Sequence, residues 1–137
     1  MKFKHYIFTR YNLGLYSGNP YKIEDIDKYM TSRLNLFYTH LAGLEEQTNQ
    51  NFTSLVCIDP NTPEHYKDEI VEAITSTPCD IKLITELPQD WLRRQPIEAE
   101  YLITSRLDND DYYLPKFIET IQTNFKEERF VYDIVHT

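Results

Sequence analysis

The chain has 137 residues, a length that suits one domain with its own hydrophobic core. Its formal net charge of -8 argues against nucleic acid as the main partner, because neutralising a phosphate backbone needs clustered Lys and Arg. The first residues are too polar for a signal peptide, and no apolar run approaches the roughly 18 residues of a membrane-spanning helix. We therefore expect a cytosolic protein.

The first half of the chain alternates between strand and helix patterns. A short aromatic and β-branched run over 6–9 predicts a buried strand, and a loop follows it. A second strand is predicted over 52–58 and ends at Asp59. Between these strands the apolar residues recur in steps of three and four, which predicts one long helix. The residues of this apolar stripe are Ile26, Met30, Leu34, Phe37, Leu41 and Leu44.

The second half continues the alternation. Thr62 has the residue type of an N-cap and Pro63 that of a first helical position, and helical spacing then extends to about residue 75. The alternation predicts an α/β fold, an alternating β/α three-layer sandwich with a mainly parallel sheet. The remaining predicted elements are a strand over 80–85, a loop over 86–97, a strand over 101–104, a helix over 115–125 and a strand over 130–135.

Polar side chains follow three of the predicted strands. Thr9, Arg10 and Asn12 lie at the end of the first strand or just after it, and Asp59 closes the second. The fourth strand is followed by an acidic cluster that begins at Asp108. Because ligands of such sheets bind at the carboxyl ends of the strands, we expect the three groups to converge on one edge.

The acidic cluster, Asp108, Asp110 and Asp111, has two interpretations. Carboxylates this close repel one another unless a cation or hydrogen-bond donors lie among them, and oxygen ligands suit Mg or Mn completed by substrate phosphates. The alternative is a solvated turn that precedes a helix. An EF-hand loop is excluded, because Tyr113 stands where that loop needs Gly and Pro115 starts a helix inside it.

The candidate arginines also have two interpretations. Arg106 lies two residues before Asp108 on an extended strand, so it either points with the acids or pairs with Asp108. Arg93 and Arg94 could bind phosphate, but a solvated surface pair is the more common outcome. The four histidines are scattered without metal-ligand spacing, so we assign them to the surface or the core.

Several segments resemble the rhamnosyltransferase family of bacterial glycosyltransferases. They are residues 5–12, 46–52, 58–59 and 104–111, and the resemblance spans nearly the whole chain. Within the last segment, Asp108-Asn109-Asp110 is similar to the Asp-x-Asp motif of the GT-A glycosyltransferase fold. The resemblance implies a Rossmann-like nucleotide-binding half, a nucleotide-sugar donor, a glycan or other hydroxyl acceptor, and a divalent metal, Mn or Mg.

The resemblance also implies roles for the candidate residues. Asp108 would face the ribose and sugar and share the metal with Asp110. Asp111 would either contact the sugar or support the residues that do. Asp59 would lie near the base or ribose, and Arg10 near the base or phosphates. The other candidates for substrate binding are Thr9, Asn12 and Arg106. Peripheral association with a membrane and the oligomeric state stay open.

The chain departs from the GT-A pattern in one respect. Enzymes of that fold continue past the Asp-x-Asp motif into a half that binds the acceptor, whereas this chain stops soon after Tyr132. We therefore expect one nucleotide-sugar-binding domain over 1–137 without the acceptor half, and we name no catalytic base. Two alternatives to an active transferase are a non-catalytic nucleotide- and metal-binding module and a metal-dependent phosphate-transfer or hydrolase domain.

Overall fold

In a computed structural model, the described residues are 3–96, 98–109 and 111–126. Strands and helices alternate through them, as the sequence predicts. The predicted strand over 130–135 lies outside these residues, as does Asp110. The elements are β1 (Phe3–Arg10), α1 (Ile26–Glu45), β2 (Thr53–Cys57), α2 (Glu64–Thr75), β3 (Ile81–Ile84), α3 (Pro88–Arg93), β4 (Tyr101–Arg106) and α4 (Phe117–Thr123).

The four strands form one parallel sheet in the order β3-β2-β1-β4. The strands β2 and β3 therefore lie on one side of β1, whereas β4 lies on the other. Phe8 of β1 is in register with Leu55 of β2 and with Arg106, the last residue of β4, so β1 extends two residues beyond the end of β4. The predicted parallel sheet is confirmed.

Each face of the sheet has its own hydrophobic core. Ile7 and Val56 are fully buried on the face that α1 and α2 cover. Their neighbours Tyr6 and Leu55 point to the opposite face, because successive side chains of a strand alternate. Trp91 of α3 packs against that second core, with its ring centroid 6.1 Å from that of Tyr6. The three-layer sandwich is thus confirmed.

Two local predictions are wrong. The predicted loop over 86–97 contains the helix α3, which is too short for apolar periodicity to reveal although Pro88 begins it. The predicted N-cap, Thr62, does not cap α2, because its hydroxyl donates to the carbonyl oxygen of Asp59 at 2.7 Å. Pro63 takes the cap position, with no side-chain hydrogen bond to the helix.

The long helix α1 is close to its prediction. It begins after Asp25, whose carboxylate accepts from the Lys28 amide at 3.0 Å. The apolar stripe faces the core, but His40 and Gly43 are buried on the helix as well. None of the helices in the described part of the chain is both long and apolar enough to cross a membrane.

His5 joins three elements of the fold. Its Nε2 lies 2.7 Å from Ser105 Oγ of β4, and its Nδ1 lies 3.1 Å from Gln122 Nε2 of α4. The amide nitrogen of Gln122 can only donate, so Nδ1 of His5 accepts and its Nε2 carries the proton. Burial lowers the pKa of His5 from 6.5 to about 4. The ring is therefore neutral in the folded protein near pH 7.

The lowered pKa of His5 predicts acid sensitivity of the fold. Between pH 6.5 and about 4 the unfolded chain binds a proton that the folded chain does not bind, so the free energy of unfolding falls as pH falls. We expect this effect of His5 to lower the free energy of unfolding by about 2 kcal/mol between pH 7 and pH 5. In urea unfolding at both pH values, the loss should be smaller by that amount in His5→Gln. Equal losses in the two proteins would contradict the prediction.

Candidate functional site

A cleft of about 480 Å³ lies at the carboxyl ends of β1 and β4. This is the place in the sheet where strand order reverses, since β2 lies on one side of β1 and β4 on the other. Open α/β sheets bind ligands at such switch points. The lining residues come from the end of β1 and its loop, from α1 and from the end of β4: Arg10, Tyr11, Asn12, Leu13, Tyr21, Ile23, Tyr29, Arg33, Arg106, Asp108 and Asn109.

Three arginines share this cleft. Arg10 and Arg106 end two adjacent parallel strands, and Arg33 comes from the second turn of α1. The Arg33 guanidinium lies 4.9 Å from the centroid of the Tyr29 ring, in a cation–π contact. Within the described residues, none of the three has a carboxylate within 4.0 Å. No carboxylate among the described residues therefore offsets their charges.

The other two candidate arginines lie away from the cleft. Arg93 pairs with Asp90 at 3.4 Å, and Arg94 makes a two-nitrogen contact with Glu86. Both arginine side chains are more than half exposed, at 77% and 60%. They form the solvated surface pairs that the sequence favours.

Asp108 is exposed and lines the cleft beside Arg106. Although both residues are described, Arg106 and Asp108 do not form a salt bridge with each other. The Asp108 carbonyl accepts from the Asp111 amide at 3.0 Å, which closes a turn, and Asp111 does not line the cleft. The described residues contain no group of three His, Cys, Asp or Glu that could hold a metal. Asp108 alone fits as one oxygen ligand of a metal whose shell a substrate completes.

Asn12 and Thr9 are more enclosed than the arginines. Asn12 lines the cleft but is buried, and its amide nitrogen donates to Thr62 Oγ1 at 3.1 Å. Its amide oxygen accepts from the Asp59 amide at 2.9 Å, so Asn12 links the ends of β1 and β2. Thr9 is fully buried and does not line the cleft, and its Oγ1 lacks a partner in the described part of the chain.

Asp59 is fully buried and does not line the cleft. One carboxylate oxygen accepts from the Tyr16 amide at 3.1 Å and from the Ser17 hydroxyl at 2.9 Å. The other oxygen accepts from the Asn61 amide at 2.8 Å. Asp59 thus fastens the loop after β1, and contact with substrate stays a prediction that its burial does not favour.

Sequence reasoning missed Tyr21, Tyr29 and Arg33. Tyr29 and Arg33 lie on α1 outside its apolar stripe, and Tyr21 lies in the loop before the helix. The spacing of Tyr29 and Arg33, four residues apart, is the signal that marks one helix side. Tyr21 is 58% exposed and lies between two residues of positive φ, Asn19 at 42° and Lys22 at 54°. Backbone strain of this kind concentrates at ligand sites.

The segment after β4 is fastened along one side of α1. We call residues 108–113 the acidic loop, and of these Asp110 lies outside the described residues. Asn109 is fully buried and donates from Nδ2 to the Arg33 carbonyl at 3.0 Å. Tyr112 lies against Gly43 and donates its hydroxyl to Glu46 at 2.7 Å.

Gln47, just after the end of α1, and His40 of α1 face the same segment. Gln47 donates to the Leu114 carbonyl at 2.8 Å and accepts from the Ile118 amide at 3.1 Å. His40 is buried, and burial lowers its pKa to about 4, although the backbones of Asp111 and Asp108 act in the opposite direction. The acidic loop therefore packs on polar and small residues of α1.

Gly43 predicts an energetic coupling with Tyr112. A Cβ at position 43 would lie 2.6 Å from Cδ2 of the Tyr112 ring, so the ring must move in Gly43→Ala. We expect this overpacking to offset the roughly 1 kcal/mol of helix propensity that Ala gains over Gly. In a Tyr112→Ala background the same substitution should stabilise by about 1 kcal/mol. A double-mutant cycle by urea unfolding measures the difference, and equal effects in both backgrounds would refute the coupling.

A protein-family model described as "Putative rhamnosyl transferase" matches residues 22–132. The match includes Arg33, Arg106 and Asp108, whereas Arg10 and Asn12 precede it. Comparison with curated proteins and with solved structures gives no match. Since the matched segment covers well over half of the chain, the chain belongs to this rhamnosyl transferase family.

Proposed function

We propose that the protein is a glycosyltransferase that binds a nucleotide-sugar donor in the cleft between β1 and β4. The observation that carries this proposal is the group of three arginines without carboxylate partners among the described residues, Arg10, Arg33 and Arg106, beside Asp108. Such a local excess of positive charge in a chain of net charge -8 suits a compact anionic ligand. Membership of the rhamnosyl transferase family supports a sugar donor.

The arginines would hold the diphosphate of the donor. A guanidinium presents N–H donors in a planar fork that matches phosphate oxygens, and hydrogen bonds to charged groups are the stronger ones. Arg10 and Arg106 project from adjacent strand ends, and Arg33 comes from the neighbouring helix, so the three approach one ligand from different elements. This arrangement favours a group with several phosphate oxygens over a single carboxylate.

The aromatic residues of the cleft would hold the base. Tyr21 and Tyr29 line the cleft together with Ile23, which gives this part an apolar and aromatic character. Stacking of a base on an aromatic ring contributes about 1 to 3 kcal/mol and tolerates different bases. The pair therefore supports a nucleoside ligand rather than inorganic phosphate.

Asp108 and Asp110 would act as the Asp-x-Asp motif of a GT-A-like site. We propose that they hold Mg or Mn, with oxygens of the donor diphosphate completing the shell. The metal, when bound, offsets negative charge on the leaving nucleoside diphosphate. Asp108 supports this role by its exposure at the cleft and its freedom from an arginine partner among the described residues. Asp111 does not line the cleft, so we propose no more than a contact with a part of the sugar that extends beyond the cleft.

In the proposed reaction an acceptor hydroxyl attacks the anomeric carbon of the sugar and the nucleoside diphosphate leaves. A glycan or another hydroxyl compound would supply that group. The described lining residues include one carboxylate, Asp108, and no histidine, so no base is assigned to the acceptor proton. This favours, as the second candidate, a module that binds the donor without transferring its sugar.

Arg33 predicts a test of donor binding. We expect Arg33→Ala to weaken binding of UDP, GDP or dTDP by about 10- to 100-fold, because a hydrogen bond to a charged group contributes roughly 1.5 to 3 kcal/mol. Arg93→Ala is the matched control, since Arg93 is an exposed arginine outside the cleft. Calorimetry with and without Mn measures both variants.

Absence of binding for all three nucleotides, or equal loss in both variants, would refute the proposal. Loss of the Mn effect in Asp108→Ala would support the metal role. Release of free nucleotide from a nucleotide-sugar, in the presence of Mn, distinguishes the transferase from the binding module.

A further inference from the structure

We propose that Asn109 is a positioning residue that holds Asp108 at the cleft by fastening the acidic loop to the helix that carries Arg33. The inference rests on the proposed function, because it assigns Asn109 to the metal-binding side of the same site. It concerns the middle residue of the motif, whose side chain is fully buried while its neighbour Asp108 is exposed.

The hydrogen bond from Asn109 joins the acidic loop to Arg33, a residue that also lines the cleft. Asn109 Nδ2 lies 3.0 Å from the carbonyl oxygen of Arg33, while the guanidinium of Arg33 lines the cleft. A helix is stiff along its backbone, so this bond sets the position of the loop relative to the arginine. Because Asp108 directly precedes Asn109, the same bond also restrains the position of Asp108.

The buried amide of Asn109 is only half satisfied. Its Oδ1 is buried and has no hydrogen-bond partner among the described residues. His40 lies seven residues after Arg33, on the same side of α1, and is buried beside the backbone of Asp108 and Asp111. Unsatisfied buried polar atoms are rare and costly. The unsatisfied Oδ1 beside the hydrogen bond to Arg33 indicates that Asn109 contributes more to the position of the loop than to stability.

The other fastenings of the loop to the α1 side act farther from Asp108, while on the strand side the Leu107 amide donates to the Phe8 carbonyl at 3.0 Å. Tyr112 rests on Gly43, and Gln47 binds the carbonyls of Tyr113 and Leu114. Removing the Asn109 bond should therefore release the first part of the loop while its far end stays on α1. This separates a positioning effect from unfolding.

Asn109→Asp distinguishes positioning from charge. The substitution keeps size and shape but replaces the donor Nδ2 with a carboxylate oxygen, which cannot donate to the Arg33 carbonyl. If the loop acted only through its negative charge, the added carboxylate would tighten metal binding. If Asn109 positions Asp108, metal binding weakens despite the added charge.

The matched control is Asn124→Asp. Asn124 also donates from Nδ2 to a helix carbonyl, that of Thr120 at 2.7 Å, but it lies at the end of α4 outside the cleft lining. It has the same change of charge and the same loss of a side-chain-to-backbone bond. Any effect shared by both variants is therefore not specific to the loop.

The first measurement is calorimetric titration of Mn into the protein in the presence of whichever of UDP, GDP and dTDP binds the wild type. We expect Asn109→Asp to weaken Mn binding at least tenfold. Nucleotide affinity without metal is measured for each variant as its baseline, because a carboxylate at position 109 also lines the cleft, and the fold-change on adding Mn is the readout. Asn124→Asp should match the wild type in both. Unchanged or tighter Mn binding in Asn109→Asp overturns the inference while donor binding stands.

The second measurement is amide hydrogen exchange without metal or nucleotide. The Asp111 amide donates to the Asp108 carbonyl at 3.0 Å, so its exchange reports on the turn of the acidic loop. We expect at least tenfold faster exchange at Asp111 in Asn109→Asp, with β1 and α1 amides unchanged. Faster amide exchange throughout the sheet would show that Asn109 stabilises the whole fold, and this result would overturn the inference. A wild type that binds nucleotide without any response to Mn overturns both this inference and the proposed metal role.

Discussion

The parallel pairing of β1 with β4 is the constraint on which the rest of the site depends. It aligns the two strands so that Phe8 lies opposite Arg106, the last residue of β4, and Arg10 ends β1 two residues farther on. Arg10 and Arg106 are 96 positions apart in the chain but border one cleft because of this register. A shift of one residue along β4 would turn Arg106 to the opposite face of the sheet.

The helix α1 supplies the third part of the site, beside the ends of β1 and β4. One side of it carries the apolar stripe into the core between sheet and helices. Another side bears Arg33 toward the cleft and receives Asn109 and Tyr112 of the acidic loop. The packing of a single helix therefore fixes the distance between the basic and acidic parts of the site.

Sequence reasoning predicted the alternating fold because each long element has a clear period, as the stripe of α1 and the β-branched run of β3 show. It missed α3, because six residues give too little periodicity to separate a helix from a loop. It also brought Arg10, Asn12 and Asp108 to one edge, since strand ends follow from topology alone.

The remainder of the site depends on side-chain direction, which no pattern in one sequence supplies. Asp59 has the residue type of a ligand contact, but it is turned inward by donors from Tyr16, Ser17 and Asn61. Arg33 has the residue type of a solvated helix position, but it borders the cleft because α1 crosses beside the end of β1. Both outcomes come from tertiary packing rather than from local sequence.

The opposite signs of the cleft and of the whole chain have a consequence for kinetics. An anionic ligand that approaches from a distance meets the field of a protein of net charge -8 before it meets the three arginines. At physiological ionic strength that field is screened beyond roughly 8 Å, whereas the contacts inside the cleft are screened much less. Added salt should therefore speed the encounter while it shortens the residence of the ligand. Affinity alone would hide these two opposing effects, whereas association and dissociation rates measured separately would reveal them.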